Sequence, residues 1–289
     1  MIYVKRTKLP AKTWKKIGYL IALACFLILT LGPFLWTFVL SVTPEYAMTE
    51  KSAGFFPDTV TYANYRELLT PDTQKGCLLI TGIKNALDAV AVSLALGIPI
   101  SLLTAYTLSR MEFWGRKLIK NLLLITMVIP VMATIIPLYR LFAARQWLDD
   151  VFWLSMVYVS SCLPMTTWLI SNYLTAIPEE LEEAARIDGC GRFSSFFRVI
   201  LPVSYPIVLS AALLMFLNTW SQFQIPLILA SSLKTKPAAI VVSEFMTKDS
   251  VQYGLTAAAG IIASIPPAVT ALLFRRFLVS GMTNGSVKG

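Results

Sequence analysis

The sequence predicts an all-α polytopic membrane protein, and three observations lead to that fold class. Of the 289 residues, 56% are hydrophobic and only 14% are charged, which is far more apolar than a soluble chain of this length requires for its core. Six stretches each hold about 20 mostly apolar residues, the length that a helix needs to cross a hydrocarbon layer of roughly 30 Å with its backbone bonded internally. Lysine and arginine are concentrated in alternate connections between these stretches, as they are around membrane helices.

The six predicted spans leave little chain for a soluble domain. They cover residues 17–39, 85–108, 118–139, 151–173, 204–223 and 255–278. We therefore predict a leader at 1–16, a first membrane helix at 17–42, an outer loop at 43–84, a transmembrane core at 85–278 that includes an inner loop at 177–202, and a tail at 279–289. The first apolar stretch is too long for the core of a signal peptide, so we expect it to remain as a span.

The distribution of positive charge predicts that both termini are cytoplasmic. With the N-terminus inside, the inner segments carry 16 of the 25 lysine and arginine residues, and the outer segments carry nine. Inner loops of membrane proteins hold the excess of these residues. The net charge of +9 follows from this topology, and since the cations flank apolar spans rather than line one soluble face, no nucleic-acid partner is expected.

The predicted spans offer little catalytic or ligand chemistry. The chain has no histidine, and Asp88 is the only acidic residue within a predicted span. A membrane-embedded enzyme would therefore have few general acids or bases, and no phosphate-binding glycine loop is present. The four cysteines fall in different segments and predict neither a disulfide framework nor a metal site. We expect no catalytic residue and no metal, and the alternative to a transport subunit is a carrier or channel that works alone.

The inner loop at 177–202 carries the most specific pattern. Its five acidic residues outnumber its three basic ones, so positive charge alone does not explain an inner position. Pro178 suits a first helical turn, the glutamates after it favour the positive helix end, and Gly189 suits a left-handed cap. These features predict a short helix, followed by a second helix over residues 192–200 that ends before Pro202.

One face of the predicted short helix is narrow and apolar. Leu181, Ala184 and Ala185 share that face by the i, i+3, i+4 rule. Small side chains in such a row give a low ridge that can press into a groove on a partner protein.

The spacing within this loop resembles that of permease subunits of ATP-binding-cassette (ABC) importers. In that family the loop reads Glu-Ala-Ala, three residues, Gly, nine residues, then Ile, any residue, Leu-Pro. The matching residues here are Glu183, Ala184, Ala185, Gly189, Val199, Leu201 and Pro202, with Val199 in the position of the isoleucine. Other segments, among them Pro178-Glu179-Glu180-Leu181 and Ala185-Arg186-Ile187-Asp188-Gly189, resemble the carbohydrate branch, close to the smaller permease subunit of maltose-type importers.

The resemblance implies a type I ABC importer permease fold, with six transmembrane helices and a cytoplasmic coupling helix. It implies that ATPase coupling falls on Glu183, Ala184, Ala185, Asp188, Gly189, Leu201 and Pro202. It further implies that the tail residues Gly285, Ser286, Val287, Lys288 and Gly289 contact the ATPases. An outer loop for contact with a binding protein is implied at Ser231, Ser232, Leu233, Lys234, Thr235 and Lys236.

The same resemblance implies the partners and the location. The partners are a homologous second permease subunit, a dimer of ABC ATPase subunits, an extracytoplasmic solute-binding protein and a sugar. ATP and Mg would be bound by the ATPase subunits, and this chain would bind no cofactor. The expected location is the bacterial cytoplasmic membrane. Neutral malto-type sugars, acidic uronate oligosaccharides and polyols are all open as substrates.

Overall fold

The computed structural model describes residues 11–49, 57, 59–246 and 252–283. These residues form α1 (Ala11–Ser41), α2 (Glu45–Thr49), α3 (Ala63–Leu69), α4 (Gln74–Arg110), α5 (Arg116–Thr126), α6 (Val131–Arg145), α7 (Val151–Ala176), α8 (Glu180–Ile187), α9 (Arg192–Val203), α10 (Tyr205–Trp220), α11 (Gln224–Leu229), α12 (Ala238–Glu244) and α13 (Tyr253–Thr283). Most of the predicted leader and tail, residues 1–10 and 284–289, lies outside the described part.

Four of the described helices are long and apolar enough to cross a membrane. They contain the segments Lys15–Ser41, Gln74–Arg110, Val151–Ala176 and Tyr253–Arg276. Two further candidates are bent pairs, α5 with α6 at 95° and α9 with α10 at 74°. The described residues therefore contain four candidate spans, or up to six if each bent pair crosses once, and the six spans that the sequence predicts are the upper end of this range.

The predicted third span, 118–139, is broken rather than continuous. Helix α5 ends at Thr126, and α6 begins after Pro130, whose backbone is extended with φ −64° and ψ 130°. Proline has no N–H to donate to the preceding turn, and its ring clashes with that turn, so a helix tends to stop here. A hydropathy pattern does not register this break, because the two helices together still read as one apolar stretch long enough to span a membrane.

Other boundaries differ from the predicted ones as well. Helix α4 begins at Gln74 rather than at Asn85, because the Thr73 side chain accepts a hydrogen bond from the Gly76 N–H and caps the helix there. The predicted outer loop 43–84 thus contains α2, α3 and the first turns of α4. The predicted fifth span, 204–223, corresponds to α10, which meets α9 at the 74° bend.

Helices α4, α7 and α10 form the centre of the bundle. Helix α4 packs along α7, and α10 packs against both of them and against α13. At Gly97 the Met215 side chain of α10 packs directly on the backbone of α4, and a Cβ atom there would lie 2.6 Å from Met215 Sδ. Small residues allow this kind of approach between membrane helices.

Helices α1 and α13 lie side by side at the edge of the bundle. Helix α1 packs against α13, and most of its apolar side chains are exposed, as expected for a helix whose other neighbour is lipid. Glu45 fixes the start of α13 by accepting hydrogen bonds from the N–H groups of Tyr253 at 2.9 Å and Gly254 at 3.1 Å. A carboxylate at a helix N-terminus also opposes the helix dipole favourably.

Candidate functional site: an anchored helix in the loop after α7

The short helix predicted in the inner loop is present as α8, and local signals fix both of its ends. Its first turn carries Glu180, Glu182 and Glu183, where negative charge favours the helix dipole. Gly189 has φ +82°, and its N–H donates to the Arg186 carbonyl while the Cys190 N–H donates to the Ala185 carbonyl. This is the left-handed glycine cap that closes a helix with two backbone hydrogen bonds.

The inner face of α8 is attached to the end of α4 by an ion pair. Arg110 Nε lies 2.9 Å from Glu182 Oε1, and each side chain is only 6% exposed. The other carboxylate oxygen of Glu182 accepts a hydrogen bond from the Tyr106 hydroxyl at 3.0 Å. A buried charge is tolerated when an opposite charge lies against it, and the Arg110 ion pair together with the Tyr106 hydrogen bond holds Glu182 on the end of α4.

Arg110 and Tyr106 connect further parts of the loop to α4. The Arg110 guanidinium donates to the Ile177 carbonyl at 2.7 Å and lies 3.6 Å from the Glu179 carboxylate. The ring of Phe196, in α9, packs on the Tyr106 ring with 4.8 Å between centroids. The last two turns of α4 therefore contact the start of the loop, α8 and α9 together.

The outer face of α8 and the start of α9 expose large apolar side chains. Ile187 is 87% exposed and Phe193 is 78% exposed, and Glu183, Ala184 and Asp188 are exposed beside them. Exposed apolar groups of this size in a polar surrounding are typical of protein–protein contact sites. We call Glu183, Ala184, Ile187, Asp188 and Phe193 the coupling surface, after the role that the resemblance implies for this loop.

The predicted ridge of Leu181, Ala184 and Ala185 is wrong in one member. Ala185 is buried, at 6% exposure, whereas Leu181 is 41% exposed and Ala184 is exposed. Ala185 lies one helical turn from Glu182, and the ion pair of Glu182 with Arg110 turns that face inward. Ala185 therefore contributes to the packing of α8 on its own chain, and the exposed face is shifted toward Ile187.

The second helix of the loop runs further than predicted. Helix α9 continues from Arg192 to Val203, so Pro202 lies inside it rather than after its end. Residues Phe196–Ile200 are in π conformation, and the Leu201 N–H donates to the Phe196 carbonyl five residues back. Leu201 is half-buried and Pro202 is exposed. Both residues follow the coupling surface in the sequence and are not part of it.

The loop 231–236, which the sequence predicts to be an outer loop, is held mainly by one carboxylate. Asp149, between α6 and α7, accepts hydrogen bonds on Oδ1 from the N–H groups of Ser231 and Ser232, both at 2.7 Å, and from the Thr235 hydroxyl at 2.9 Å. Partial burial on its own raises the pKa of the Asp149 carboxyl, but these hydrogen bonds outweigh it and hold the pKa below its ordinary value. The loop is therefore fixed to the connection between α6 and α7.

Contacts from the opposite side complete the support of this loop. The Asn85 side chain donates to the carbonyls of Leu233 at 2.8 Å and Lys236 at 3.1 Å. Lys236 also forms an ion pair with Glu244 of α12 at 2.6 Å. All six predicted residues of the outer loop thus lie between α4, α12 and Asp149.

Sequence reasoning missed Arg110, Glu182 and Asp149. Arg110 follows the predicted span 85–108 on the same predicted side of the membrane as the loop with five acidic residues. This arrangement indicates an ion pair but does not identify its partner. The tail residues 285–289 lie outside the described residues, so their predicted role has no structural counterpart here. In the described part of the chain no group of three or more His, Cys, Asp or Glu side chains could hold a metal ion.

A bundle of apolar helices long enough to cross a membrane, with a short helix anchored on the end of one of them, has the architecture of a polytopic membrane protein. Residues 97–284 match the model of the family described as binding-protein-dependent transport system inner membrane component. This match covers more than half of the chain, and the chain belongs to that family.

Relatives and solved structures agree with this membership. The chain is 29% identical over 269 residues, 93% of each protein, to the sulfoquinovosyl glycerol transport system permease protein SmoH of Agrobacterium fabrum. It is 29% identical over 276 residues, 95% of this chain and 98% of the other, to the trehalose/maltose transport system permease protein MalG of Thermococcus litoralis. A crystal structure of a bacterial ABC transporter involved in the import of the acidic polysaccharide alginate matches with a TM-score of 0.78 at 18% identity, over 93% of this chain and 99% of that one. The last match shows a shared fold.

Proposed function

We propose that the chain is one permease subunit of an ATP-driven ABC importer that moves a sugar of the oligosaccharide class across the cytoplasmic membrane. The observation that carries the proposal is the coupling surface, an exposed apolar and acidic face on a helix that is tied to α4 by a buried ion pair. The relatives named above belong to transport systems for sulfoquinovosyl glycerol and for trehalose and maltose, which supports a carbohydrate substrate.

Coupling in this proposal is mechanical. Separate ATPase subunits receive the coupling surface in a cleft, bind ATP and Mg, and move α8 when they close. Because Glu182 is bound by Arg110 and Tyr106, displacement of α8 is transmitted to α4 rather than absorbed by a loose loop. Helix α4 packs along α7 and α10, so its movement reorients the centre of the bundle between inward-open and outward-open states.

The other partners follow from the remaining surfaces. The segment from α5 to α6 exposes most of its apolar side chains, with Val128 in the break between the helices at 80% exposure and Ile136 of α6 at 64%. A homologous second permease subunit would cover part of this face and complete the path. The loop 231–236 would meet an extracytoplasmic solute-binding protein. This arrangement requires the loop after α7 and both termini to be cytoplasmic, as the charge distribution predicts. The chain would itself carry out no covalent chemistry and bind no cofactor.

Affinity purification in mild detergent tests the proposal. The tagged chain is expressed with its ATPase and second permease subunits, and Ile187→Glu is compared with Val60→Glu, a substitution at a 58% exposed apolar residue of the predicted outer loop. The wild type and Val60→Glu are expected to retain the ATPase, whereas Ile187→Glu loses it because a charge is placed in an apolar contact. Recovery of the wild-type chain without an ATPase, or sugar transport by the purified chain in liposomes without ATP, would overturn the proposal in favour of a carrier that works alone.

A further inference from the structure

A cavity of about 540 Å³ lies between α6 and α7. One wall is α6 from Val131 to Phe142, and the other is the first half of α7. Trp147 of the connecting segment and Ile225 of α11 line further parts. The volume falls in the range of sites that hold small organic ligands. We propose that this cavity is a subsite for a neutral saccharide on its way through the permease, an inference that rests on the proposed function.

Aromatic rings form a rigid part of the wall. The indoles of Trp147 and Trp153 are stacked with 3.8 Å between centroids and 11° between planes, and Phe142 meets Trp147 edge-on at 5.9 Å. An indole combines a broad apolar face, which suits the C–H face of a sugar ring, with one N–H donor at its edge. Within the described residues neither indole N–H has a hydrogen-bond partner, so both donors are available to a ligand.

Hydroxyl groups from both helices line the same cavity. Ser160 and Ser161 of α7 donate to the Val157 carbonyl at 2.8 Å and 3.0 Å, and Thr134 of α6 donates to the Val131 carbonyl at 2.9 Å. Each hydroxyl donates its single hydrogen to a carbonyl of its own helix and keeps lone pairs that can accept hydrogen bonds from a ligand. The cavity therefore offers indole donors and hydroxyl acceptors around an apolar wall, which is the combination that a polyhydroxylated ring requires.

The charge of the lining selects among saccharides. Among the described residues that line the cavity there is no Lys, Arg, Asp or Glu. A carboxylate or sulfonate brought into a low-dielectric site without a cation would lose its hydration uncompensated. The cavity thus suits a neutral sugar and opposes a uronate or a sulfonated sugar.

The indole N–H groups also distinguish a sugar from the other candidate occupants. A lipid acyl chain or an apolar helix of a second subunit would leave these two N–H groups without partners at a cost, whereas the three hydroxyl hydrogens are already bonded within their own helices. Helix α6 has only Ile135 and Phe142 buried among its described residues and follows the 95° break after α5. One wall of the cavity is therefore lightly packed, which suits a site that must open and close.

Uptake into proteoliposomes containing the whole importer with its binding protein tests the inference. Radiolabelled maltotriose and an alginate trisaccharide serve as neutral and acidic probes. The double substitution Ser160→Ala and Ser161→Ala is expected to raise the KM for the neutral probe about tenfold, as the loss of two modest hydrogen bonds predicts. Thr134→Val on the facing helix should act in the same direction. Ser264→Ala is the matched control, because Ser264 is an exposed helical serine of α13 that makes the same kind of bond to its own helix.

The outcomes separate this inference from the proposed function. A KM unchanged by both the serine and the threonine substitutions would overturn the subsite. ATP-dependent uptake of the acidic probe with exclusion of the neutral one would overturn the subsite and leave the importer assignment intact. Absence of ATP-dependent uptake of any saccharide by an assembled, ATP-hydrolysing complex would overturn both.

Discussion

Arg110 and Glu182 form an ion pair at the junction between α4 and α8, and each of the two side chains is only 6% exposed to solvent. Taking both charges out of water is costly, and their attraction offsets that cost only while the geometry is maintained. The pair therefore resists any displacement of α8 that α4 does not follow. A loop held by exposed contacts alone would instead absorb such a displacement, because exposed ion pairs contribute little.

Replacing Arg110 alone should lower the stability of the protein more than replacing both partners of this pair. Arg110→Met leaves the Glu182 carboxylate buried without its cation, which is expected to cost about 3 to 5 kcal/mol. Glu182→Met should cost less, because Arg110 keeps the Ile177 carbonyl and Glu179 nearby. The double substitution is expected to recover most of the stability lost in Arg110→Met, as measured by thermal unfolding of the purified complex.

The double variant also separates stability from coupling. It should hydrolyse ATP yet transport less sugar for each ATP, because α8 is no longer bound to α4 by charge. The stability argument is contradicted if the losses of the two single variants simply add in the double variant. The coupling argument is contradicted if a stable double variant transports at the wild-type ratio.

Gly189 and Gly191 allow the backbone of the loop to be tested without a change of contacts. Gly189 has φ +82°, whereas Gly191 has φ −71°, and a Cβ atom at either would meet no described atom within 4 Å. Gly189→Ala should therefore cost about 1 to 2 kcal/mol at the end of α8 from conformation alone, and Gly191→Ala should cost much less. We expect Gly189→Ala to lower the sugar transported per ATP hydrolysed and Gly191→Ala to leave it unchanged. Equal effects of the two substitutions would show that the left-handed cap is not what matters.

Local features of the sequence predict the short helix but not its orientation. Pro178 and Gly189 act on their immediate neighbours, so the bounds of α8 follow from the residues themselves. Which face of α8 turns inward depends on Arg110, and the periodicity of an eight-residue helix is too short to decide it. The sequence therefore placed Ala185 on the exposed ridge, and the ion pair places it inside.

The same distinction applies to the spans and to the outer loop. Apolar composition predicts which segments are candidate spans, because their length reflects the thickness of the bilayer. It does not predict the 95° break between α5 and α6, since proline can bend a helix slightly or end it, depending on what packs around it. The binding of Asp149 to Ser231 and Ser232 joins distant parts of the chain, and no local pattern reveals it.

Asp149 should control the order of the loop 231–236. Its backbone has φ +57°, which asparagine tolerates and alanine does not. Asp149→Ala removes the hydrogen-bond acceptor and puts alanine in a backbone conformation that it adopts rarely. The amide protons of Ser231 and Ser232 should then exchange with solvent roughly ten to a hundred times faster, as expected for the loss of a hydrogen bond to a charged group. Asp149→Asn should have a smaller effect, because one neutral carbonyl remains as acceptor.

The neighbouring Asp150 provides the control for this measurement. Its carboxylate accepts from the Phe152 N–H at 2.8 Å and caps α7, so Asp150→Asn should leave exchange in the loop unchanged. If Asp149→Ala and Asp150→Asn alter the loop equally, the effect belongs to the connection between α6 and α7 in general and not to the three hydrogen bonds.

The pH dependence of the loop should follow from the same carboxylate. Because the hydrogen bonds lower the pKa of Asp149 in the folded protein, its contribution is fully present above the ordinary aspartate pKa of about 3.9. It is lost as the pH falls through the lower folded pKa. Exchange of the Ser232 amide, corrected for its intrinsic pH dependence, should thus be constant from neutral pH down to about pH 4 and rise below it. A rise that begins near pH 6 would point to a different group.

Gly76 should be the most demanding position at the start of α4. A Cβ atom there would overlap the Thr70 carbonyl oxygen and lie 2.8 Å from the Glu67 carbonyl oxygen, and neither backbone atom can rotate away. Gly76→Ala must therefore displace α3 or unwind the first turn of α4, and overpacking of this kind costs about 1 to 3 kcal/mol. Gly260→Ala in α13 is the control, because a Cβ atom at that position meets no described atom within 4 Å. The midpoint of thermal unfolding should fall for Gly76→Ala alone, and an unchanged midpoint would mean that α3 does not pack on α4 as described.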